Sequence, residues 1–290
     1  MDIESRIGVF QGVARELLGE PSEEAQRCRL PKGMAIQDLI ARLIQLLYPR
    51  SHYDKVESES GLQLSVPRSL SRVYESLSRE IQSALEYREK CPIGSLEEES
   101  QVSAMALIEA LPSIQSVLEC DLEEVLKHDP AAVGREEVLL SYPGVEALTV
   151  HRLAHFLHNR NIPLIPRMMS EIVHSRTGID IHPAAQIAPY CSIDHGTGLI
   201  IGETTVIGEH VNLFHNVTLG AKSVTPEFRG KKRHPTIGDH VIIYPGATIL
   251  GDIEVGANSV IGGNAFLLES CPPDTKIYAK PPEMIVRRKG

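Results

Sequence analysis

From Ile181 onward an aliphatic residue returns every six positions: Ile181, Ile187 and Ile193, then Ile201, Ile207, Leu213 and Leu219, then Ile237, Ile243, Ile249, Val255, Ile261 and Leu267. Four places after most of these stands a small or β-branched residue, among them Ala185, Cys191, Thr197, Thr205, Val211, Val217, Val241, Ala247, Ser259 and Ala265. Helices repeat near 3.6 residues and strands at 2, so a fixed period of six marks a solenoid whose hexamers each turn two side chains inward. Six residues at ~3.3 Å each span about 20 Å. Three such strands close a triangular coil, and stacking the coils gives a parallel β-helix filled by aliphatics. Separate amphipathic strands would need hairpin turn chemistry between them, and the sequence has none.

Upstream the spacing is helical. Ile36, Leu39, Ile40, Leu43, Ile44 and Leu47 follow the i, i+3, i+4 rule, as do Ile165, Met168, Met169, Ile172 and Val173. Further helices are predicted over about 68–88, 100–119 and 145–159, with Pro49, Pro67 and Pro143 as punctuation. The polar segment Ser51 to Ser65 reads as a loop. The period changes near Thr177-Gly178, which divides the chain into a helical domain, 1–176, and a β-helix domain, 177–290. The fold class is therefore α+β, an all-helical N-terminal part followed by hexapeptide coils.

Composition narrows the function classes. A length of 290 residues accommodates two domains, and 42% hydrophobic content with no Trp suits a core of Ile, Val and Ala. The net charge of −9 argues against nucleic acid or an anionic membrane as partner, since either needs a concentrated basic face. The first residues lack a basic and apolar leader, and no stretch approaches ~18 apolar residues, so a cytoplasmic protein is expected. Five cysteines without CxxC spacing read as free thiols, Cys191 as a small core residue.

The repeat is interrupted twice, and interruptions of a solenoid are where function concentrates. Ile193 to Ile201 takes eight residues instead of six, so Asp194-His195-Gly196-Thr197-Gly198 bulges outward. A longer break from Ala221 to Thr236 carries Lys222, Arg229, Lys231, Lys232, Arg233 and His234.

Here the motifs carry a resemblance. Asp129-Pro130-Ala131-Ala132, Asp180-Ile181-His182-Pro183-Ala184-Ala185, Asp194-His195-Gly196-Thr197-Gly198, Ile201-Gly202-Glu203-Thr204, Val217-Thr218-Leu219-Gly220 and Arg233-His234-Pro235 look like serine O-acetyltransferase, in the same order and register. The resemblance covers roughly residues 100 to 285, and Ser141-Tyr142-Pro143-Gly144 in the helical part shares it. It implies a left-handed parallel β-helix, where the usual crossover rule would give a right-handed one. It also implies transfer of acetyl from acetyl-CoA to the hydroxyl of L-serine, in cysteine biosynthesis.

That reaction needs a base, because an alcohol is a poor nucleophile at neutral pH. His195 is the candidate, and the resemblance gives Asp180 the part of holding its other ring nitrogen. The resemblance further puts Asp129 and Asp194 at the substrate ammonium and Arg233 and His234 at its carboxylate, where a planar guanidinium suits. Backbone N–H groups at Gly220 and Ala221 are candidate oxyanion donors. Gly220, Ala221, Gly246 and Ala247 would border acetyl-CoA, with Lys222, Lys231 and Lys232 as further candidates near its phosphates. No metal is expected. A homotrimer or a dimer of trimers is expected, with L-cysteine as feedback inhibitor. The chain ends Val286-Arg287-Arg288-Lys289-Gly290 without the terminal Ile that relatives insert into O-acetylserine sulfhydrylase, so weak binding of that partner is expected. Three other readings stay open: acetylation of homoserine or a sugar hydroxyl, a zinc enzyme of γ-carbonic-anhydrase type using His210 and His215, and a catalytically silent module.

Overall fold

The computed structural model describes residues 29–49, 59–90, 96–223 and 230–280, with isolated positions near the N-terminus and at 94, 225 and 227; the side chains of 59–64 are left aside. The C-terminal sequence 286–290, Arg229, Cys28, Cys91 and the loop expected over 51–58 lie outside the described residues.

Helices α1 (Gly33–Leu47), α2 (Glu59–Glu89), α3 (Glu97–His128), α4 (Arg135–Ser141), α5 (Pro143–Asn159) and α6 (Ile165–Thr177) precede the solenoid. Ile36, Leu39, Ile40, Leu43 and Leu47 bury the predicted face of α1. Two expectations fail at prolines. Residues 59–65 belong to α2 instead of a loop, and Pro67 lies inside that helix, as Pro112 lies inside α3. Both prolines are exposed, so each ring meets solvent instead of a packed neighbour, and the helix continues past it. Pro143 does punctuate, standing at the start of α5 where a missing N–H is harmless. Helix α4 carried no periodic signal.

Helix α3 is long and apolar enough to cross a membrane by length and composition, contrary to the sequence expectation. Here it is a packing helix, tied to the solenoid by buried charges. Arg152 of α5 holds Asp121 through Nε and Nη2 at 2.7 and 2.8 Å and donates to the carbonyls of Ile187 and Ala188. Asp121 also accepts the Cys191 N–H at 3.0 Å, and buried Glu124 accepts from His210 Nδ1 at 2.9 Å. A buried pair costs desolvation that good geometry must offset; what this one does is fix α3 against the first coils.

Gly178, left-handed, caps α6, and the coils begin two residues later. The strands are β1 (Asp180–Ile181), β2 (Gln186–Ile187), β3 (Ser192–Asp194), β4 (Ile200–Ile201), β5 (Val206–Ile207), β6 (Asn212–Phe214), β7 (Thr218–Gly220), β8 (Thr236–Ile237), β9 (Ile242–Ile243), β10 (Thr248–Leu250), β11 (Glu254–Val255), β12 (Val260–Ile261), β13 (Phe266–Leu267) and β14 (Lys276–Ile277). They form three parallel sheets ordered β1-β4-β7-β10-β13, β2-β5-β8-β11 and β3-β6-β9-β12-β14. This is the predicted triangular solenoid, about five turns long. Its strands pair over two or three residues per face, the rest of each hexamer turning the corner.

Ala185, Cys191, Thr205, Val211, Val217, Val241, Ala247 and Ser259 are fully buried, as the hexapeptide pattern requires. Thr197 is not. It is exposed, and Leu199 fills its place inside, because the two extra residues of the bulge shift the inward position by two. The register shows the same offset: Asp180 pairs with Ile200, whereas Ile200 pairs with Thr218.

Candidate active site

The bulge makes the corner between β3 and β4. His195 occupies it with φ +56°, a backbone conformation uncommon outside glycine, and its side chain is 75% exposed. Its Nε2 lies 3.8 Å from Asp194 Oδ1, and its ring meets His215 edge-on at 5.7 Å between centroids. Asp129, just after α3, reaches the same place from the helical side. A cavity of about 30 Å³ is lined by Asp129, Tyr142, Ser192, Asp194, Asn212 and Phe214. Asp129 Oδ2 accepts the Tyr142 hydroxyl at 2.6 Å and Oδ1 accepts the Ala131 N–H at 2.8 Å. These bonds, the tyrosine first, hold the Asp129 carboxyl below the usual carboxylate range. The corner thus presents two carboxylates and an exposed imidazole around room for one small cationic group.

Arg233 and His234 stand elsewhere, before β8 at the corner stacked over the turn between β4 and β5. The Arg233 guanidinium bonds Glu203, and its backbone N–H donates to Thr204 Oγ1 at 2.9 Å. His234 is 7% exposed, and its Nδ1 accepts the Thr204 N–H at 3.1 Å. The ring lies against Gly202, where any Cβ would stand 2.0 Å from His234 Cδ2, so a larger residue there would displace the buried ring. Burial, and then the neighbouring Arg233 charge, lowers the His234 pKa to about 4, and burial lowers His182 likewise. Burial raises Glu203, but the Arg233 bond and charge outweigh it and bring its carboxyl below the ordinary value. A neutral imidazole beside a fixed guanidinium suits a carboxylate.

The predicted residues therefore fall into two groups. Asp129, Asp194 and His195 share one corner, while Arg233 and His234 share the next, at the far end of a face about 20 Å long. Asp180 heads β1, but no hydrogen bond joins it to His195 among the described residues; its carboxylate lies within 4.8 Å of Glu171 and His174 of α6. Gly220 closes β7 with its carbonyl engaged by the Gly251 N–H, and Ala221 follows half-buried. Gly246, at φ +74°, donates to the His215 carbonyl, while Ala247 has its methyl buried inside the prism, its N–H donating to the Tyr244 carbonyl and its carbonyl accepting the Thr218 N–H. Lys232 turns inward, its ammonium 2.6 Å from the Thr204 carbonyl, so it buttresses the Arg233 turn rather than facing a phosphate. The zinc reading finds no support in the geometry: His210 stacks between Tyr190 and His240, and His215 lies beside His195 at another corner. Sequence reasoning missed Tyr142, Glu203 and Thr204, and named His215 only as a zinc ligand and not as a neighbour of His195. Tyr142 lay within a motif already singled out, and Glu203 and Thr204 lay in the Ile201-Gly202-Glu203-Thr204 turn.

Comparison with known proteins now decides the family. A serine acetyltransferase of Synechococcus elongatus, plasmid-encoded, is 39% identical over 255 residues, spanning 84% of this chain and 80% of its own. The chain belongs to the serine acetyltransferase family. A serine acetyltransferase of Helicobacter pylori is 50% identical over 155 residues, 53% of this chain and 88% of that one. The family model described as bacterial transferase hexapeptide (six repeats) matches residues 234–268. The crystal structure of serine acetyltransferase isoform 3 from Entamoeba histolytica, in complex with cysteine, superposes with a TM-score of 0.76 at 32% identity, covering 86% of this chain and 84% of that one.

Proposed function

We propose that this serine acetyltransferase carries acetyl from acetyl-CoA to the hydroxyl of L-serine, giving O-acetyl-L-serine for cysteine biosynthesis, with His195 as the base. The observation that carries the residue assignment is that Asp129 and Asp194 line one small cavity, with His195 Nε2 3.8 Å from Asp194 Oδ1. Two carboxylates there hold an ammonium, and the exposed imidazole beside them takes the hydroxyl proton as the alkoxide attacks the thioester. The proton passes to the leaving thiolate, returning His195 to its neutral form.

Arg233 and His234 grip the carboxylate, and their place at a different corner motivates the oligomer. A bound serine is far shorter than one prism face, so the two groups meet on one substrate when the corner of a second copy faces the first. A closed trimer supplies three such meetings, and association through the helical part would give a dimer of trimers. L-cysteine presents the same ammonium and carboxylate, and the Entamoeba relative was crystallised with it; it should compete with serine. Cys120, Cys191 and Cys271 are free thiols, in keeping with a cytoplasmic home. The test is acetyl-CoA consumption with L-serine, with L-homoserine and with no acceptor. Consumption that requires serine is expected; a rate independent of serine, or faster with homoserine, overturns the reading.

A further inference from the structure

The Ser141-Tyr142-Pro143-Gly144 motif has a physical explanation in the substrate corner. Pro143 starts α5, and Gly144 lets that first turn lie directly on β3: a Cβ at 144 would stand 2.3 Å from the Ile193 carbonyl oxygen and 2.9 Å from its Cβ. This contact is made one residue before Asp194. It therefore sets Tyr142, the residue ahead of α5, against the cavity that Asp194 lines. The tyrosine hydroxyl spans to Asp129 Oδ2 at 2.6 Å, a short charge-assisted bond. With Oδ1 held by Ala131 and Oδ2 by Tyr142, the carboxylate has no free rotation.

We propose that Tyr142 is a positioning residue for the amino group of the substrate: its hydroxyl fixes the Asp129 carboxylate so that the lone pairs left over face an ammonium held between Asp129 and Asp194. The inference rests on the assignment of this corner to the ammonium of serine. The bond to Asp129 also pushes the Tyr142 hydroxyl up to about 12, so it stays a donor across the working range of the enzyme. Tyr142 thereby governs how well the enzyme distinguishes an amino acid from a hydroxy acid without an amino group.

The experiment is Tyr142→Phe, which keeps the ring and removes one oxygen. Losing a hydrogen bond to a charged group should raise the serine KM about tenfold or more, with kcat and the acetyl-CoA KM within about twofold. Discrimination between L-serine and 3-hydroxypropionate, in kcat/KM, should shrink by the same factor, which a general loosening of the fold would leave unchanged. In an Asp129→Asn background the Tyr142→Phe change should add little. KM does not depend on the fraction of enzyme folded, so reduced yield does not obscure the result. A serine KM unchanged in Tyr142→Phe, or both acceptors weakened equally, overturns the proposal. Failure of the wild-type enzyme to use serine at all overturns the underlying assignment instead.

Discussion

At the β3–β4 corner the polar groups reach outward from a helical support; at the corner before β8 they are folded back onto the chain that carries them. His195 stands mostly exposed, with Asp129 braced by Tyr142 and Ala131. His234 is buried on Gly202, and Arg233 is held by Glu203 and Thr204. The difference matches two tasks. A base must meet its substrate in a water-accessible position and change protonation state in each turnover. A carboxylate clamp must keep one charge and one geometry throughout.

The largest effect that would sharpen this contrast is at the exposed corner. His195→Ala should lower kcat by at least about 100-fold with an unchanged fold, since positioned proton transfer contributes roughly that much; wild-type kcat in this variant would remove the base. A second measurement asks whether the corners cooperate across copies. Chains carrying His195→Ala and chains carrying Arg233→Ala, each nearly inactive, should recover activity when co-expressed. Random assembly of trimers with sites between neighbours restores about a quarter of wild-type sites. No recovery, despite mixed oligomers on mass analysis, would mean that both corners serve a substrate within one chain.

The smallest effect is on stability against pH, and it belongs to the buried corner. His234 and His182 have folded pKa values lowered to about 4, and burial holds His151 well below its ordinary value. In the unfolded chain each returns to about 6.5. Between these limits the unfolded state binds more protons, so the stability of the native state is lost as pH falls from about 6.5 toward 4. Tm should decline over that window in the wild type and less steeply in His234→Gln. Equal slopes in the two would show that His234 is not held neutral.

The solenoid was legible because its cause is repetitive. Most hexamers bury an Ile, Leu or Val at one fixed place and a small residue at another, so Leu213, Val217 and Leu219 announce the same geometry as Ile243, Ala247 and Ile249. Thr197 misled because an insertion shifts that geometry without altering the letters around it. The helical part was less legible, since Pro67 resembles a stop when written and is tolerated where it faces water, as Pro112 is inside the helix expected over 100–119. Resemblance supplied the candidate residues, but not their arrangement. That Asp129 and Asp194 face a common cavity depends on Gly144 bringing α5 against Ile193, a contact between residues about fifty apart. That Arg233 and His234 fall at another corner depends on where a long loop returns, and no periodicity records this.

The return of that loop has a consequence for how such a protein changes over generations. Val206 pairs with Thr236, Asn212 with Ile242 and Thr218 with Thr248, all three sheets skipping the same thirty positions, after which Thr248 and Phe266 resume the ordinary step. The excursion enters and leaves the stack without turning it, so the coils above keep the orientation of those below. Doubling the length of such a detour raises the entropy of closing it by only about 0.6 kcal/mol. A change in the length of the segment between Ser223 and Gly230 therefore costs little in closure and leaves the frame of the coils standing.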